Sequence, residues 1–405
     1  MKKILALFGA LVYALAAVAG STATEVTLLQ DEASGTFEIR YTLNGDTPAI
    51  VTLDVETNGV SVGGAALACV AGDVNCVVTP GQDRRAWWTP RQAKGLVVAD
   101  GSLKPVLHVW SLTSPPPYLA IDLTVTNAFR YYAEASFVPG GVTNVLYKTK
   151  SLLMRRIPAA GVTWTQGINE TSGANPDYVQ YDRSFLTYLS EDFYLGVYEL
   201  TRGQFACVME GASAESPTHP LAGLAAASEL ANIKTADNVA LSVLQTGGSK
   251  KTYAGIPELR LPSNSQWEFA CRAGSPYRFY WGNDSADAAR YAVFGDATEE
   301  VGLREPNAFG LYDMHGNVAE WTSGTYLTPA ERVATFGTGY VAGTTVVTNP
   351  VDGTSGMYVP LRGGKAADNG SYWSQAATQN YYQKGGKPNP PFSGVRLCLP
   401  VSAVR

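Results

Sequence analysis

Cysteine and histidine are the residue types in this chain that most readily do chemistry, because they supply nucleophiles, acid–base groups and metal ligands. The 405-residue sequence contains five cysteines, which are Cys69, Cys76, Cys207, Cys271 and Cys398. It contains three histidines, which are His108, His219 and His315. These histidines form no cluster along the chain, and no G-x-S-x-G, P-loop or dinucleotide-binding motif is present. The inventory of catalytic motifs is therefore nearly empty.

Two of the cysteines lie close together in sequence. Cys69 and Cys76 flank the turn-forming segment "VAGDVN", and in an oxidising compartment such a pair is expected to close a small disulfide ring. Cys207 has no accompanying His or Asn arrangement that would activate it. It is predicted to be a buried thiol on an apolar helix face rather than a nucleophile.

The first residues have the pattern of an export signal. Lys2 and Lys3 precede the apolar run "ILALFGALVYALAAVA", and small residues follow up to Ala23. This pattern predicts a cleaved signal peptide over residues 1–23 and a secreted, periplasmic or cell-surface protein. The alternative is a membrane anchor, but the run is short and rich in Ala and Gly. No second stretch is long and apolar enough to span a bilayer, and no cysteine near the cleavage site indicates a lipoprotein.

Composition narrows the class of partner. The net charge is −5 and no basic stripe occurs, so nucleic acid is not an expected partner. With 45% hydrophobic residues the chain is long enough for two or three domains with buried cores.

Residues 24–147 consist of short alternating runs separated by turn signals. Examples of these runs are "TFEIRYTL", "AIVTLDVET" and "YLAIDLTVT". Short strands at this spacing predict an all-β sandwich of immunoglobulin-like type. The segment "RRAWWTPR" is aromatic and basic and could bind a glycan, but the preferred interpretation is one core tryptophan beside one tryptophan at the rim.

Two segments of the second half have the sequence pattern of a helix N-terminus. Thr201 with Gln204, and Ser263 with Gln266, have the spacing of capping boxes ahead of amphipathic runs. The runs lead to Gly211 and Gly274, where the helices are expected to end. Gly, Asn, Asp, Tyr and Trp dominate the rest of the chain, which predicts long irregular loops.

The second half contains the segments "MRRIPAAGVTWTQG", "FYLGVYELTRGQFACVMEG", "LRLPSNSQWEFACRAGS", "NAFGLYDMHGNVAEWTSG", "LRGG" and "SGVRLCLP". In their order and spacing these segments resemble the formylglycine-generating enzyme family, also called sulfatase-modifying factor domains. The resemblance covers residues 148–405 and implies an α+β fold related to the C-type lectin fold. The expected architecture is thus an immunoglobulin-like sandwich followed by this domain.

The same resemblance implies where catalysis would occur. Active members bind copper through two cysteines just after the R-G-G motif and oxidise a cysteine of a sulfatase peptide, because soft thiolates hold Cu(I). Counting without gaps from Arg362, those positions hold Asp368 and Trp373. Residues 272–397 contain no cysteine. No copper is therefore expected. A related three-histidine iron site would need a histidine cluster that the sequence lacks.

Two structural features are implied by the family. Cys271 and Cys398 match positions that often form a disulfide between the helix after Ser263 and the last strand. The loop "MHGNVAEW" resembles a structural Ca²⁺ site, with Glu320 as the acidic ligand and Gly316, Asn317 and Val318 contributing. The alternative is that Glu320 only packs and forms hydrogen bonds.

The stretch after the R-G-G motif is predicted to bind a ligand. It is rich in amides and aromatic rings, a mixture common in binding surfaces. Polar residues such as Gln375 and Gln379 predict that residues 365–393 are exposed. The predicted ligand-binding residues are Asp368, Asn369, Tyr372, Trp373, Asn380, Tyr381 and Tyr382.

These observations favour an exported, non-catalytic binding or scaffold protein, a pseudoenzyme, whose partner is a protein, a peptide or a glycan. One alternative is a family oxidoreductase of altered chemistry. Others are a variable binding protein diversified by a retroelement, and a structural surface protein in which the β-sandwich matters most.

Overall fold

The chain folds into two compact units. In this computed structural model the first unit comprises Met1–Ile121, Ala128–Tyr147 and Val401–Arg405, and the second comprises Asp122–Asn127 and Lys148–Pro400. The structure describes residues 20–31, 33–90, 103–125, 128–167, 184–212, 215–222, 256–323, 341, 344–350, 358–368, 370, 372–383 and 392–404. Most of the predicted signal peptide lies outside these ranges. Within them, no helix is long and apolar enough to cross a membrane.

The described part of the first unit is built from β-strands. They are β1 (Thr22–Asp31), β2 (Thr36–Asn44), β3 (Ala49–Thr57), β4 (Val60–Ser61), β5 (Val70–Gly72), β6 (Cys76–Val78), β7 (Gly81–Trp88), β8 (Leu103–Trp110), β9 (Tyr118–Asp122) and β10 (Phe129–Tyr132). One antiparallel sheet has the order β1-β2-β7-β5. In a second sheet β3 pairs antiparallel with β4, β6 and β8. The strands β9 and β10 do not belong to either of these sheets and pair antiparallel with each other.

Alternation of apolar and polar residues explains how the first unit forms its core. Along β2 every second side chain, from Phe37 to Leu43, is buried, and the residues between them face outward. These side chains join Val51 and Leu53 of β3 in one hydrophobic cluster. Trp88 is 0% exposed whereas Trp87 is 43% exposed, which confirms the prediction of one core and one rim tryptophan.

The second unit has short elements. They are β11 (Ser151–Ile157), β12 (Val162–Gln166), β13 (Phe185–Leu189), β14 (Phe193–Gly196), α1 (Arg202–Val208), α2 (Asn264–Arg272), α3 (Ala288–Tyr291), β15 (Ala319–Trp321), β16 (Val346–Thr348), β17 (Tyr358–Arg362), β18 (Asn380–Gln383), β19 (Ser393–Gly394) and β20 (Cys398–Pro400). In one sheet β14 lies between β11 and β20. A second sheet of this unit has the order β18-β17-β15-β19, so β17 and β15 are its inner strands. A third sheet has the order β12-β13-β16.

Both predicted capping boxes form. The Thr201 side chain accepts from the Gln204 backbone N–H while the Gln204 side chain accepts from Thr201 N–H, and Ser263 and Gln266 repeat this exchange. The second helix ends at Arg272, before the glycine, because Ala273 itself takes a left-handed conformation with φ 46°. The sequence thus predicts both helix starts correctly and places the helix ends a few residues late.

Candidate ligand-binding site

The predicted ligand-binding stretch begins directly after β17. Asp368 ends a short 3-10 turn, Ala366–Asp368, and its Oδ2 accepts from the backbone N–H of Lys365 at 2.9 Å. Trp373 lies half-buried in the next turn, Tyr372–Ser374. Asp368 therefore shapes the local backbone, and Trp373 is partly exposed to solvent.

The other predicted ligand residues are described only partly. Asn380, Tyr381 and Tyr382 belong to β18, which pairs antiparallel with β17. Their side chains, like that of Tyr372, lie outside the described part of the structure. Asn369 lies outside it entirely.

The centre of the stretch is not a surface. The side chains from residue 374 to residue 379 are all 8% exposed or less, including Gln375 and Gln379. The prediction that residues 365–393 face outward throughout is wrong for this part. Gln379 can be buried because its Oε1 accepts from Asn264 Nδ2 at 2.8 Å, which satisfies the amide inside the protein.

Arg362 of the R-G-G motif holds this buried segment in place by hydrogen bonds to its backbone. Its guanidinium is fully buried and donates from Nη1 to the carbonyls of Ala376 at 3.0 Å and Thr378 at 3.2 Å. Nη2 forms an ion pair with Glu268 at 2.9 Å, and Nε donates to Asn264 Oδ1. One arginine therefore links the loop to α2 through four partners.

The spacing of residues on α2 makes this arrangement possible. Asn264, Glu268 and Arg272 are four residues apart and so share one face of the helix. Glu268 Oε1 accepts from Arg272 Nε at 2.9 Å and from the backbone N–H of Gly167 at 2.8 Å. The Glu268 carboxylate is thereby shared between two arginines, which compensates for its complete burial.

The predicted calcium ligand Glu320 has other partners. Arg396 Nη2 lies 2.7 Å from Glu320 Oε1 and its Nε lies 3.1 Å from Oε2, while Trp267 Nε1 donates to Oε2 at 2.6 Å. Glu320 and Arg396 are 1% and 0% exposed. Because a guanidinium already neutralises this carboxylate, the donor set does not fit Ca²⁺ at Glu320.

The neighbouring residues of that loop are engaged in the same way. Asn317 Nδ2 donates to Glu199 Oε2 at 2.7 Å, and the Val318 backbone N–H donates to Glu199 Oε1 at 3.1 Å. The Gly316 N–H donates to the Gly363 carbonyl at 2.9 Å. Among the described residues, no group of three or more His, Cys, Asp or Glu side chains could hold a metal ion. Calcium here stays a prediction without geometric support.

Glu199 and Asp313 are acids in the interior. Burial, with Asp313 and Glu320 nearby, raises the pKa of Glu199 well above its ordinary value. Burial also raises the pKa of Asp313 from 3.8 to about 6, against the opposing effect of a Gly302 N–H that donates to its Oδ2 at 2.6 Å. Asp313 Oδ1 has no hydrogen-bond partner.

We expect Asp313 to make stability depend on pH. The pKa of Asp313 is higher in the folded than in the unfolded protein. Its contribution to the free energy of unfolding is therefore fully present below about pH 4 and is lost as pH rises through about 6. Relative to Asp313→Asn, the wild type should lose up to about 3 kcal/mol of unfolding free energy across that window. Asparagine tolerates the φ of 56° at this position. Urea unfolding at a series of pH values measures the difference, and parallel profiles for the two proteins would contradict it.

No disulfide is formed: all five cysteines, which lie in described segments, are free thiols. The predicted pairs Cys271–Cys398 and Cys69–Cys76 are therefore not present. Cys271 Sγ lies 3.5 Å from His315 Nε2, whereas Cys398 Sγ lies 3.9 Å from Gln266 Oε1. Each buried sulfur lies near a polar side-chain atom, and both cysteines belong to the same hydrophobic cluster as reduced thiols.

Neither the Cys207 thiol nor the pair formed by Cys271 and His315 is suited to catalysis. Cys207 lies half-buried on α1, where its Sγ donates to the Thr149 carbonyl at 3.4 Å. Burial raises the pKa of Cys271 far above its usual range and lowers the pKa of His315 to about 3. Both groups are neutral near pH 7, so they form no reactive thiolate–imidazolium pair.

The residues after the R-G-G motif do not fit a copper ion. Asp368 offers a hard carboxylate that already accepts from a backbone N–H, and Trp373 offers an indole whose nitrogen is only a donor. Neither replaces a soft thiolate.

Sequence reasoning missed the residues that organise this site. Arg362, Glu268, Arg396 and Glu199 occur inside the quoted motifs, but the predictions gave them no role. Each of them is a charged residue inside an otherwise apolar or glycine-rich motif. A charge that is buried with such a motif requires a partner, and this could have indicated their role.

Comparison with known proteins identifies relatives of the second unit. A formylglycine-generating enzyme of Mycobacterium tuberculosis is 33% identical over 96 residues, covering 20% of this chain and 32% of that protein. The mouse formylglycine-generating enzyme is 31% identical over 137 residues, covering 30% and 33%. The mouse inactive C-alpha-formylglycine-generating enzyme 2 is 42% identical over 81 residues, covering 16% and 26%. The chain thus spans a third or less of the length of these relatives.

Two solved structures are similar over a larger part of the chain. Treponema denticola variable protein 1 gives a TM-score of 0.45 at 18% identity, covering 62% of this chain and 95% of that one. PvdO from Pseudomonas aeruginosa gives a TM-score of 0.43 at 20% identity, covering 62% and 94%.

A protein family matches one continuous range of the chain. Residues 186–400, slightly more than half of the sequence, match the sulfatase-modifying factor enzyme 1-like domain. The matched range includes α1, α2 and every buried ion pair described above. The chain belongs to the sulfatase-modifying factor family, in agreement with the resemblance found in its motifs.

Proposed function

We propose that this protein is an exported ligand-binding or scaffold protein whose family domain does not generate formylglycine. The observation that carries the proposal is the absence of any cysteine between residues 272 and 397. Without a thiolate pair after Arg362, the domain lacks the soft ligands that the family's copper chemistry requires.

The buried framework supports a role that needs the fold without the chemistry. Arg362 and Arg396 keep complete sets of partners in the interior, so the scaffold is maintained. The similarity to the mouse inactive C-alpha-formylglycine-generating enzyme 2 is compatible with a non-catalytic role.

The ligand face that we propose is the rim of the stretch after the R-G-G motif. Asp368 and Trp373 lie there with part of their surface exposed, and the amide- and aromatic-rich composition of the neighbouring residues suits a peptide, a protein or a glycan. The buried segment from residue 374 to residue 379 supports this rim rather than contacting the ligand.

For the first unit we infer an immunoglobulin-like β-sandwich. Two antiparallel sheets contribute side chains to one hydrophobic cluster, as in sandwiches of this class. Together with the apolar N-terminal run, this favours a protein that presents its second unit outside the cytoplasm.

The first test is enzymatic. The purified protein, supplied with Cu(I) and oxygen, should convert none of a sulfatase-type cysteine peptide to the aldehyde, which mass spectrometry detects directly. An active family member processed in parallel is the positive control. Aldehyde formation by this protein would overturn the proposal and favour an oxidoreductase of altered chemistry.

The second test concerns Trp373. A random peptide library is panned on the wild type, and each recovered clone is then measured on Trp373→Ala. Because this ring is half-buried, the change should cost about 1–2 kcal/mol of stability while abolishing binding of most clones. Tyr277→Ala, a 51% exposed aromatic in the same unit, is the matched control and should keep binding. Clones that bind Trp373→Ala as well as the wild type would exclude the rim as the ligand face.

A further inference from the structure

The outward face of the sheet β1-β2-β7-β5 in the first unit carries an exposed tryptophan that packs against a glycine. Trp87 is 43% exposed and lies opposite Glu38 of β2 and Ala71 of β5. A Cβ built on Gly72 would come within 2.9 Å of Trp87 Cε3 and Cζ3. The indole therefore lies against the glycine backbone, with surface left open to solvent.

Polar groups in fixed positions stand beside this ring. The Glu38 carboxylate accepts from Arg40 at 3.0 Å and 3.1 Å and from Arg85 Nη1 at 3.3 Å. Arg85 is also paired with Asp83. The side chains of Glu38, Arg40 and Arg85 are 16%, 38% and 40% exposed. They thus keep hydrogen-bonding atoms accessible while the ion pairs hold their orientation.

The charges on this face balance. Arg40 and Arg85 are matched by Glu38 and Asp83, so the face attracts neither an anionic nor a cationic partner strongly. A balanced set of donors and acceptors around a flat apolar ring suits a neutral molecule that also has one apolar face and a polar rim.

We propose that this face binds a neutral pyranose sugar of an oligosaccharide. One C–H face of the sugar stacks on Trp87, and its hydroxyl groups donate to Glu38 and accept from Arg40 or Arg85. The site is separate from the family domain, so it goes beyond the function proposed above and does not depend on it.

Isothermal titration of the full chain with cellohexaose, xylohexaose, maltohexaose and chitohexaose tests this proposal. At least one of them should bind, and Trp87→Ala should weaken that binding roughly tenfold or more. Trp87→Phe keeps a smaller ring and should have an intermediate affinity. Glu38→Gln should weaken binding less than Trp87→Ala, because it retains an acceptor. Tyr277→Ala, an exposed aromatic of the second unit, is the matched control and should bind like the wild type.

Two outcomes would overturn the proposal. These are the absence of binding to all four sugars, and equal affinity of the wild type and Trp87→Ala. If Trp87→Ala does not unfold cooperatively, Trp87→Phe and Glu38→Gln decide between the outcomes. The aldehyde assay on the sulfatase-type peptide is unaffected by these changes, so failure here is distinguishable from failure of the proposed function.

Discussion

Replacing Glu320 by alanine is expected to lower the unfolding free energy by about 3–5 kcal/mol. The change leaves the Arg396 guanidinium, which is 0% exposed, buried without its counter-ion. It also removes the acceptor of the Trp267 indole N–H, and an unsatisfied buried donor adds to the cost. Urea unfolding followed by circular dichroism measures the loss.

Two further variants separate loss of charge from loss of the side chain. Glu320→Gln keeps an acceptor for Trp267 and should cost less than the alanine. Glu305→Ala removes an exposed ion pair with Arg290, of which the side chains are 51% and 64% exposed, and should leave the melting temperature nearly unchanged. A loss of stability in Glu320→Ala no larger than that in Glu305→Ala would show that Glu320 contributes no buried ion pair.

The same proteins decide whether calcium binds at this loop. If Arg396 is the partner of Glu320, a chelator should not change the melting temperature of the wild type or of Glu320→Ala. A chelator-dependent decrease in the wild type that Glu320→Ala abolishes would instead show that a cation binds there.

Replacing Arg362 by methionine is expected to destabilise the second unit by a similar amount, about 3–5 kcal/mol. The side chain volume is largely kept, but Glu268 loses one of its two cationic partners. The carbonyls of Ala376 and Thr378 lose their donor. The loop that these carbonyls belong to should therefore open more readily than the rest of the unit.

Hydrogen exchange distinguishes this local effect from general unfolding. In Arg362→Met, the amides of residues 374–379 should exchange faster at denaturant concentrations that leave α2 protected. Arg304→Met is the matched control, because its pair with Glu299 is 26% and 41% exposed and should be worth less than about 1 kcal/mol. Uniform acceleration across the unit would contradict a specific role for Arg362 in holding the loop.

Features that depend on neighbouring residues could be predicted from the sequence. Ser263 and Gln266 are three residues apart, so their reciprocal hydrogen bonds follow from local geometry. The alternation along β2 fixes which side chains enter the core in the same way.

Features that depend on distant residues could not be predicted. Gln379 has a polar side chain typical of surfaces, and a hydrogen bond with Asn264, 115 residues earlier, makes its burial acceptable. Glu320 in a glycine-containing loop fits a calcium ligand and an ion pair equally well until the fold brings Arg396 to it. Whether Cys271 faces Cys398 depends on side-chain directions that no sequence motif specifies.

The position of Arg396 also determines when the second unit can fold during synthesis. Its guanidinium donates to the carbonyls of Gly196 and Val197, 200 and 199 residues earlier, and the next strand, β20, pairs with β14. These contacts close a loop of 200 residues, and the chain loses the entropy of that closure before the contacts stabilise it. A nascent chain whose Arg396 still lies in the ribosomal tunnel therefore has an unfinished core, so this unit completes its fold only after β20 has emerged.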